Sequence, residues 1–257
     1  MSSSHGNFVW YELMTTDHKA AEAFYHGVIG WRAQDAGMPD RSYTILSVAE
    51  TPIGGLMELP REDCEAGARP GWIGYVSADD VDATAARVTQ AGGAVHRTPE
   101  DIPGVGRFAI VSDPHGATFA LFKGSTDAQG RQPAPNTPGH MGWHELHAGD
   151  RESAFTFYSR LFGWTKAESV DMGSMGIYQL FATGKEPVGS MMTKTEAVQA
   201  PFWLYYFNVD DIEAGAARVK DKGGKVLNGP HQVPGGSWIV QCLDPQGAMF
   251  ALVGPHR

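Results

Sequence analysis

The chain has 257 residues, 42% of them apolar, with 7 Trp, 12 Phe and 8 Tyr, enough for two domains with sizeable cores. Its 20 Lys and Arg against 29 Asp and Glu leave a net charge of −9, and no basic run offsets it, which argues against binding a phosphate backbone. No apolar run nears membrane-span length, and the start, Met1-Ser-Ser-Ser-His-Gly-Asn7, has no signal-peptide core. Cys64 and Cys242 make neither a disulfide framework nor a metal spacing. The expectation is a cytoplasmic protein with a small-molecule partner, no nucleic acid and no membrane.

In chain order, Phe8–Met14 alternates as a strand, and Asp17 is an N-cap for a helix from His18 to about Val28, with Ala20, Ala21, Phe24 and Val28 on one face. Strands are predicted near Trp31–Ala36, Ser42–Ala49 and Gly54–Leu59. A strand at Trp72–Ser77 opens a second unit, followed by a helix over Val81–Ala91 that Asp80 caps and Gly92-Gly93 ends. Strands near Ala94–Arg97, Arg107–Ser112 and Thr118–Lys123 follow, the last two joined by a type I turn at Asp113-Pro-His-Gly116.

The same order then repeats. Residues 8–31 match 141–164 at 9 of 24 positions, and residues 72–123 match 203–254, without a gap, at 22 of 52. This is an internal duplication with a domain-sized period, so it predicts two tandem domains rather than a solenoid. The expected boundaries are 1–124 and 140–257, joined by a Pro- and Gly-rich linker at 125–139. The fold class is α+β, with βαβββ units four times over. Sequence leaves open whether units pair within a half or exchange between halves. Because the tandem chain already resembles a dimer of single domains, a monomer or weak homodimer is expected.

Phe24-Tyr25 with Gly30-Trp31 after it, Asp79-Asp80-Val81 and Asp113-Pro-His-Gly116 form an ordered set. It recurs as Phe157-Tyr158, Gly163-Trp164, Asp210-Asp211-Ile212 and Asp244-Pro-Gln-Gly247. With this set the chain resembles the vicinal oxygen chelate superfamily of glyoxalase, bleomycin-resistance and extradiol dioxygenase proteins. It is most similar to a tandem glyoxalase-like branch in which Trp-x-Glu-Leu opens the first strand. The resemblance implies paired βαβββ modules curling into half-open barrels around small-molecule cavities. It also implies a divalent metal held from the first, fifth and last strands of a module pair. Those positions match Trp10, Ile73 and Ala120 in one half and Trp143, Leu204 and Ala251 in the other. None of these side chains can ligate a metal. The expectation is therefore no cofactor and no usual metal site.

Strand alternation places Glu12 and Met14 on the face of Trp10, and Glu145 and His147 on the face of Trp143. A carboxyl group desolvated by an aromatic wall is an acid–base candidate near neutral pH, so Glu12 and Glu145 are the candidate catalytic residues. The alternative is a carboxylate paired with Arg107 or with backbone across the sheet. Tyr75 and Tyr206 share the parity of the fifth-strand position and offer phenolic donors. Arg107, replaced by Trp238 in the other half, suits an anionic ligand. Ligand-binding candidates are thus Trp10, Trp143, Tyr75, Tyr206, Arg107 and His147. His115, matched by Gln246, reads as a solvated turn residue. Gly54-Gly55 and Gly189-Ser190 admit close approach by a ligand or, more commonly, a neighbouring strand. The function expected is binding or transformation of a compact oxygen-bearing or aromatic molecule without the usual metal. One alternative is a metal-dependent lyase, isomerase or dioxygenase with ligands moved to Glu12, Glu145, His147, Glu58 or His144. The other is a vestigial, non-catalytic scaffold.

Overall fold

The computed structural model describes residues 4–38, 42–125, 134 and 136–257. Most of the expected linker at 125–139 therefore lies outside the described residues. Each expected module is present. The first comprises β1 (Phe8–Thr15), α1 (His18–Ile29), β2 (Arg32–Asp35), β3 (Tyr43–Val48) and β4 (Thr51–Glu58), and a short helix, α2 (Arg61–Glu65), trails it. The second comprises β5 (Gly71–Ser77), α3 (Val81–Gln90), β6 (Ala94–Ile102), β7 (Gly106–Ser112) and β8 (Thr118–Gly124). The third comprises β9 (Met141–Ala148), α4 (Arg151–Phe162), β10 (Thr165–Asp171), β11 (Ile177–Ala182) and β12 (Pro187–Thr193). The fourth comprises β13 (Phe202–Asn208), α5 (Ile212–Asp221), β14 (Lys225–Gln232), β15 (Trp238–Leu243) and β16 (Met249–Gly254). Two differences from the sequence reading stand out. α2 has no buried residue and so no apolar periodicity to betray it. β6 runs five residues beyond Arg97, through register shifts at Val95/Arg97 and Arg97/Glu100 that scramble its alternation.

The strands form two open, mixed eight-stranded sheets, in the orders β2-β3-β4-β1-β5-β8-β7-β6 and β10-β11-β12-β9-β13-β16-β15-β14. Within each module the first and last strands are parallel, as β1 with β4 and β9 with β12. The other four helices start where the sequence places them: Asp17, Asp80, Asp150 and Asp211 each accept the backbone N–H three residues on. Gly30 and Gly163 end α1 and α4 with φ of 90° and 73°, a conformation that glycine adopts without strain.

Packing groups these modules into two compact units. One comprises Met1–Val9, Ile73–Gln132 and His144–Trp203; the other comprises Trp10–Trp72, Pro133–Trp143 and Leu204–Arg257. Each unit thus draws one module from each half of the repeat.

The shared sequence markers build both cores. In the unit containing α1, the buried Tyr25 hydroxyl donates to Asp244 Oδ2 at 3.1 Å and accepts from the Trp72 indole at 2.9 Å. Asp244 also caps its own turn by accepting from the Gln246 and Ala248 amides. Trp31 stacks on Tyr25 and meets Phe207 edge-on. In the unit containing α4, Trp203, Tyr158 and Asp113 repeat the relay at 3.1 and 3.5 Å, and Trp164 stacks between Tyr158 and Phe181. The conspicuous Tyr and Asp-Pro-x-Gly residues are therefore core architecture. Tyr25→Phe leaves the Trp72 N–H without an acceptor, and the expected loss is about 1–2 kcal/mol in denaturant unfolding. A change within about 0.5 kcal/mol, the usual range for surface substitutions, would show the relay to be energetically idle.

Candidate functional site

In the unit containing β1, three side chains from two strands converge. Trp10 and Glu12 lie two apart on β1, and Tyr43 begins β3, with β4 running between them. Tyr43 is opposite Met57 on β4, whereas Glu12 is opposite Gly55. The phenol therefore crosses β4 over Gly55. A Cβ built on Gly55 would lie 2.0 Å from the Tyr43 oxygen, so the glycine makes room for this crossing. There the hydroxyl accepts from Trp10 Nε1 at 3.0 Å and hydrogen-bonds the Glu12 carboxylate. Burial, followed by the negative charge of Glu12, holds the Tyr43 phenol far above its ordinary pKa, so it stays a donor. Glu12 itself is only 8% exposed. Gly54 has a different role: its missing Cβ admits the Tyr11 carbonyl of the neighbouring strand.

The other unit repeats this pattern with a change. Tyr178 on β11 reaches past β12, whose Ser190 is opposite Glu145, and donates to Glu145 Oε2 at 2.7 Å. The second carboxylate oxygen, Oε1, lies 2.7 Å from His147 Nε2. The His147 ring stacks on Phe202 with centroids 4.6 Å apart and planes 3° from parallel. Side-chain exposure is 14% for His147 and 7% for Glu145, so the pair is largely withdrawn from water yet reachable.

Tyr43 and Tyr178 were missed in the sequence. The signal was available: each tyrosine precedes the small residue it crosses, Gly55 or Ser190, by twelve positions. What sequence lacked was the register across three strands that brings the phenol to the glutamate.

The remaining candidates are placed as follows. Tyr206 is buried and its hydroxyl accepts from Gln241 Nε2 at 3.0 Å, while its backbone is opposite Ala251. Tyr75 is opposite Ala120, with Phe108 and Phe122 beside its ring. Trp143 is half-buried. Arg107 is committed elsewhere: it clamps both oxygens of Asp82 at 2.6 and 2.9 Å, and donates to Asp101 and to the Pro99 carbonyl. Those contacts raise its pKa further, and neither glutamate is among these partners. His115 is exposed as expected, though it is held 2.8 Å from Ser153 Oγ. His144 is a core residue, stacked 4.1 Å from Phe8 with Nδ1 2.7 Å from the Val188 carbonyl. Burial lowers its pKa to about 4, so it is neutral and donates that hydrogen bond.

The superfamily fold implies a divalent metal, so the donors present must be tested against it. Ala120 and Ala251 sit buried in their sheets, and neither they nor Trp10, Trp143, Ile73 and Leu204 carry a suitable donor atom. Among the described residues no group of three His, Cys, Asp or Glu side chains is arranged to hold an ion. Of the relocated candidates, Glu58 is exposed, His144 belongs to the core and Glu12 lies with Tyr43 in the unit containing β1, which leaves Glu145 and His147 together. Two donors fall short of the three protein ligands of a catalytic site. The residues do not fit the group.

Comparison with known proteins agrees with this architecture. The family model for the Glyoxalase/Bleomycin resistance protein/Dioxygenase superfamily matches residues 7–121 and again 138–252. The anthracycline biosynthesis protein DnrV of Streptomyces peucetius is 33% identical over 257 residues, covering 95% of this chain and 91% of its own. CFP32 of Mycobacterium tuberculosis is 30% identical over 248 residues, covering 96% and 94%. Among solved structures, the Mn(II)-bound glyoxalase from Novosphingobium aromaticivorans superposes with a TM-score of 0.67 at 18% identity, covering 99% of this chain and 83% of that one. The 2,2',3-trihydroxybiphenyl 1,2-dioxygenase of Sphingomonas wittichii gives 0.68 at 13% identity, covering 98% and 90%. Among the described residues no helix is long and apolar enough to cross a membrane. With its family match running through both repeats, the chain belongs to the glyoxalase/bleomycin resistance protein/dioxygenase superfamily.

Proposed function

We propose that this protein binds or transforms a compact aromatic or oxygen-bearing small molecule in the cytoplasm, without the superfamily's usual metal. The carrying observation is the pair of equivalent glutamate–tyrosine contacts, Glu12 with Tyr43 beside Trp10 in one unit and Glu145 with Tyr178 beside His147 in the other. A carboxylate held by a phenol and flanked by an aromatic surface can accept a ligand hydroxyl or exchange a proton with it. Relationship to DnrV, named for anthracycline biosynthesis, supports a planar ligand with carbonyl and hydroxyl oxygens. On this reading residues 1–124 and 140–257 each carry one glutamate–tyrosine pair, and a monomer suffices. Arg107 contributes stability to its own surface more than ligand affinity, since Asp82 and Asp101 already hold it.

The test is tryptophan-fluorescence titration with a panel of hydroxylated quinones and aromatic ketones. Elemental analysis of protein purified without chelator accompanies it. Glu12→Gln with Glu145→Gln should weaken binding about tenfold to a hundredfold, the worth of charge-assisted hydrogen bonds. Unchanged affinity and turnover would remove both glutamates from the mechanism. A metal content near one per chain, lost together with activity on chelation, would favour relocated ligands instead.

A further inference from the structure

The two glutamate–tyrosine pairs are not chemically equal. Glu145 accepts the Tyr178 hydroxyl on Oε2, and on Oε1 it faces His147 Nε2. A carboxylate is an acceptor only, so the neutral His147 ring facing it carries its hydrogen on Nε2 and leaves a lone pair on Nδ1. Nδ1 has no hydrogen-bond partner among the described residues, and Phe202 holds the ring plane by stacking. On the flanking strand β12, His147 is opposite the apolar Met192. Among the described residues its one ion-pair partner is Glu145. In the other half, the position of His147 is Met14 and the position of Phe202 is Gly71. Both the base and the ring that orients it are missing there.

We infer that proton transfer is confined to the second half, where His147 Nδ1 takes the proton of an acidic phenol or enol hydroxyl, and that the Glu12–Tyr43 half only binds. The inference rests on the function proposed above. In the step, the ligand O–H bond breaks and an N–H bond forms at Nδ1, while the bonding electron pair stays on the ligand oxygen. The Nε2–H remains donated to Glu145, whose negative charge offsets the positive charge of the imidazolium. The ligand is thereby held as a phenolate or enolate, and no oxidant or metal is needed. Glu145 is a positioning residue for His147.

The probe is 4-nitrophenol, whose phenolate is coloured and whose phenol is not. Binding is read from tryptophan quenching and ionisation from the probe's own absorbance. Wild-type protein should lower the apparent pKa of bound probe by about one unit or more, equivalent to a tenfold preference for the anion. The coloured form should saturate at one per chain. His147→Phe, which keeps a ring against Phe202, and His147→Gln should both lose the colour, while quenching from the Glu12–Tyr43 half remains. Glu145→Gln should give a smaller shift. Wild-type quenching without a colour change, or equal colour in the His147 variants, would overturn the inference while leaving the binding proposal intact. Two coloured equivalents per chain would overturn the inequality of the halves. Absence of quenching with wild-type protein would count against the small-molecule reading itself, and the inference would fall with it.

Discussion

Gly189→Ala should destabilise the protein by about 3 kcal/mol, at the upper end of what a single added methyl costs in a packed interior. Its backbone is not in the left-handed region, so the penalty is purely steric. A Cβ at this position would lie 2.4 Å from the His144 carbonyl oxygen and 2.7 Å from two atoms of the Phe181 ring. Neither neighbour can yield. The carbonyl belongs to β9, the parallel partner of β12, and Phe181 is fully buried and stacked on Trp164. For a chain of this size the melting midpoint should fall by about 6–12 °C. Gly184→Ala provides the control, because nothing lies within 4 Å of its Cβ position and its φ is also ordinary. A Gly189→Ala protein that melts with the Gly184→Ala control would show that β9 and β12 are not packed as described. Each compact unit should be followed with its own probe, since a two-unit protein need not unfold in one step.

The second large effect is a pH dependence. Burial lowers the pKa of His144 to about 4 in the folded protein, against about 6.5 for an unperturbed histidine in the unfolded chain. A depressed pKa means that the unfolded chain takes up the proton first as pH falls. The stability tied to neutral His144 is therefore complete above about pH 6.5 and is lost progressively down to about pH 4. The total is about 3 kcal/mol. Asp113, in the same unit, acts in the opposite sense: burial raises its pKa, so acid favours the folded form. The difference between wild type and His144→Gln isolates the histidine. That difference should shrink by about 3 kcal/mol between pH 7.5 and pH 4 in urea titrations. A difference independent of pH would mean that His144 is hydrated and charges freely.

Much of this molecule was readable beforehand, and the reasons differ by residue. Asp17 and Asp80 announce their helices because capping is local, settled within three residues. Trp10 and Glu12 share a face because strand alternation is local as well, and their convergence on Tyr43 agrees with that parity. Tyr43 and Tyr178 stayed hidden because their positions depend on register across an intervening strand. The Arg107 clamp stayed hidden for a related reason: Asp82 is 25 residues away, at the start of α3. His144 read as a possible metal donor until its stacking on Phe8 placed it in the core, since composition does not distinguish a ligand from a buried neutral ring. Whether modules pair within a half or across halves could not be read at all, because all four modules carry closely similar patterns.

The way the compact units draw on the chain also has an ancestral meaning. One unit takes the second module of the first half and the first module of the second half, and the other takes the remaining two. A shorter polypeptide holding a single repeat would own half of each unit and complete neither. Two such polypeptides could finish both by exchanging modules, as in reciprocal domain swapping. The duplication then reads as the covalent capture of an intertwined homodimer. Once both copies lay on one chain they no longer had to remain identical, and one carries a methionine at position 14 where the other carries a histidine at 147.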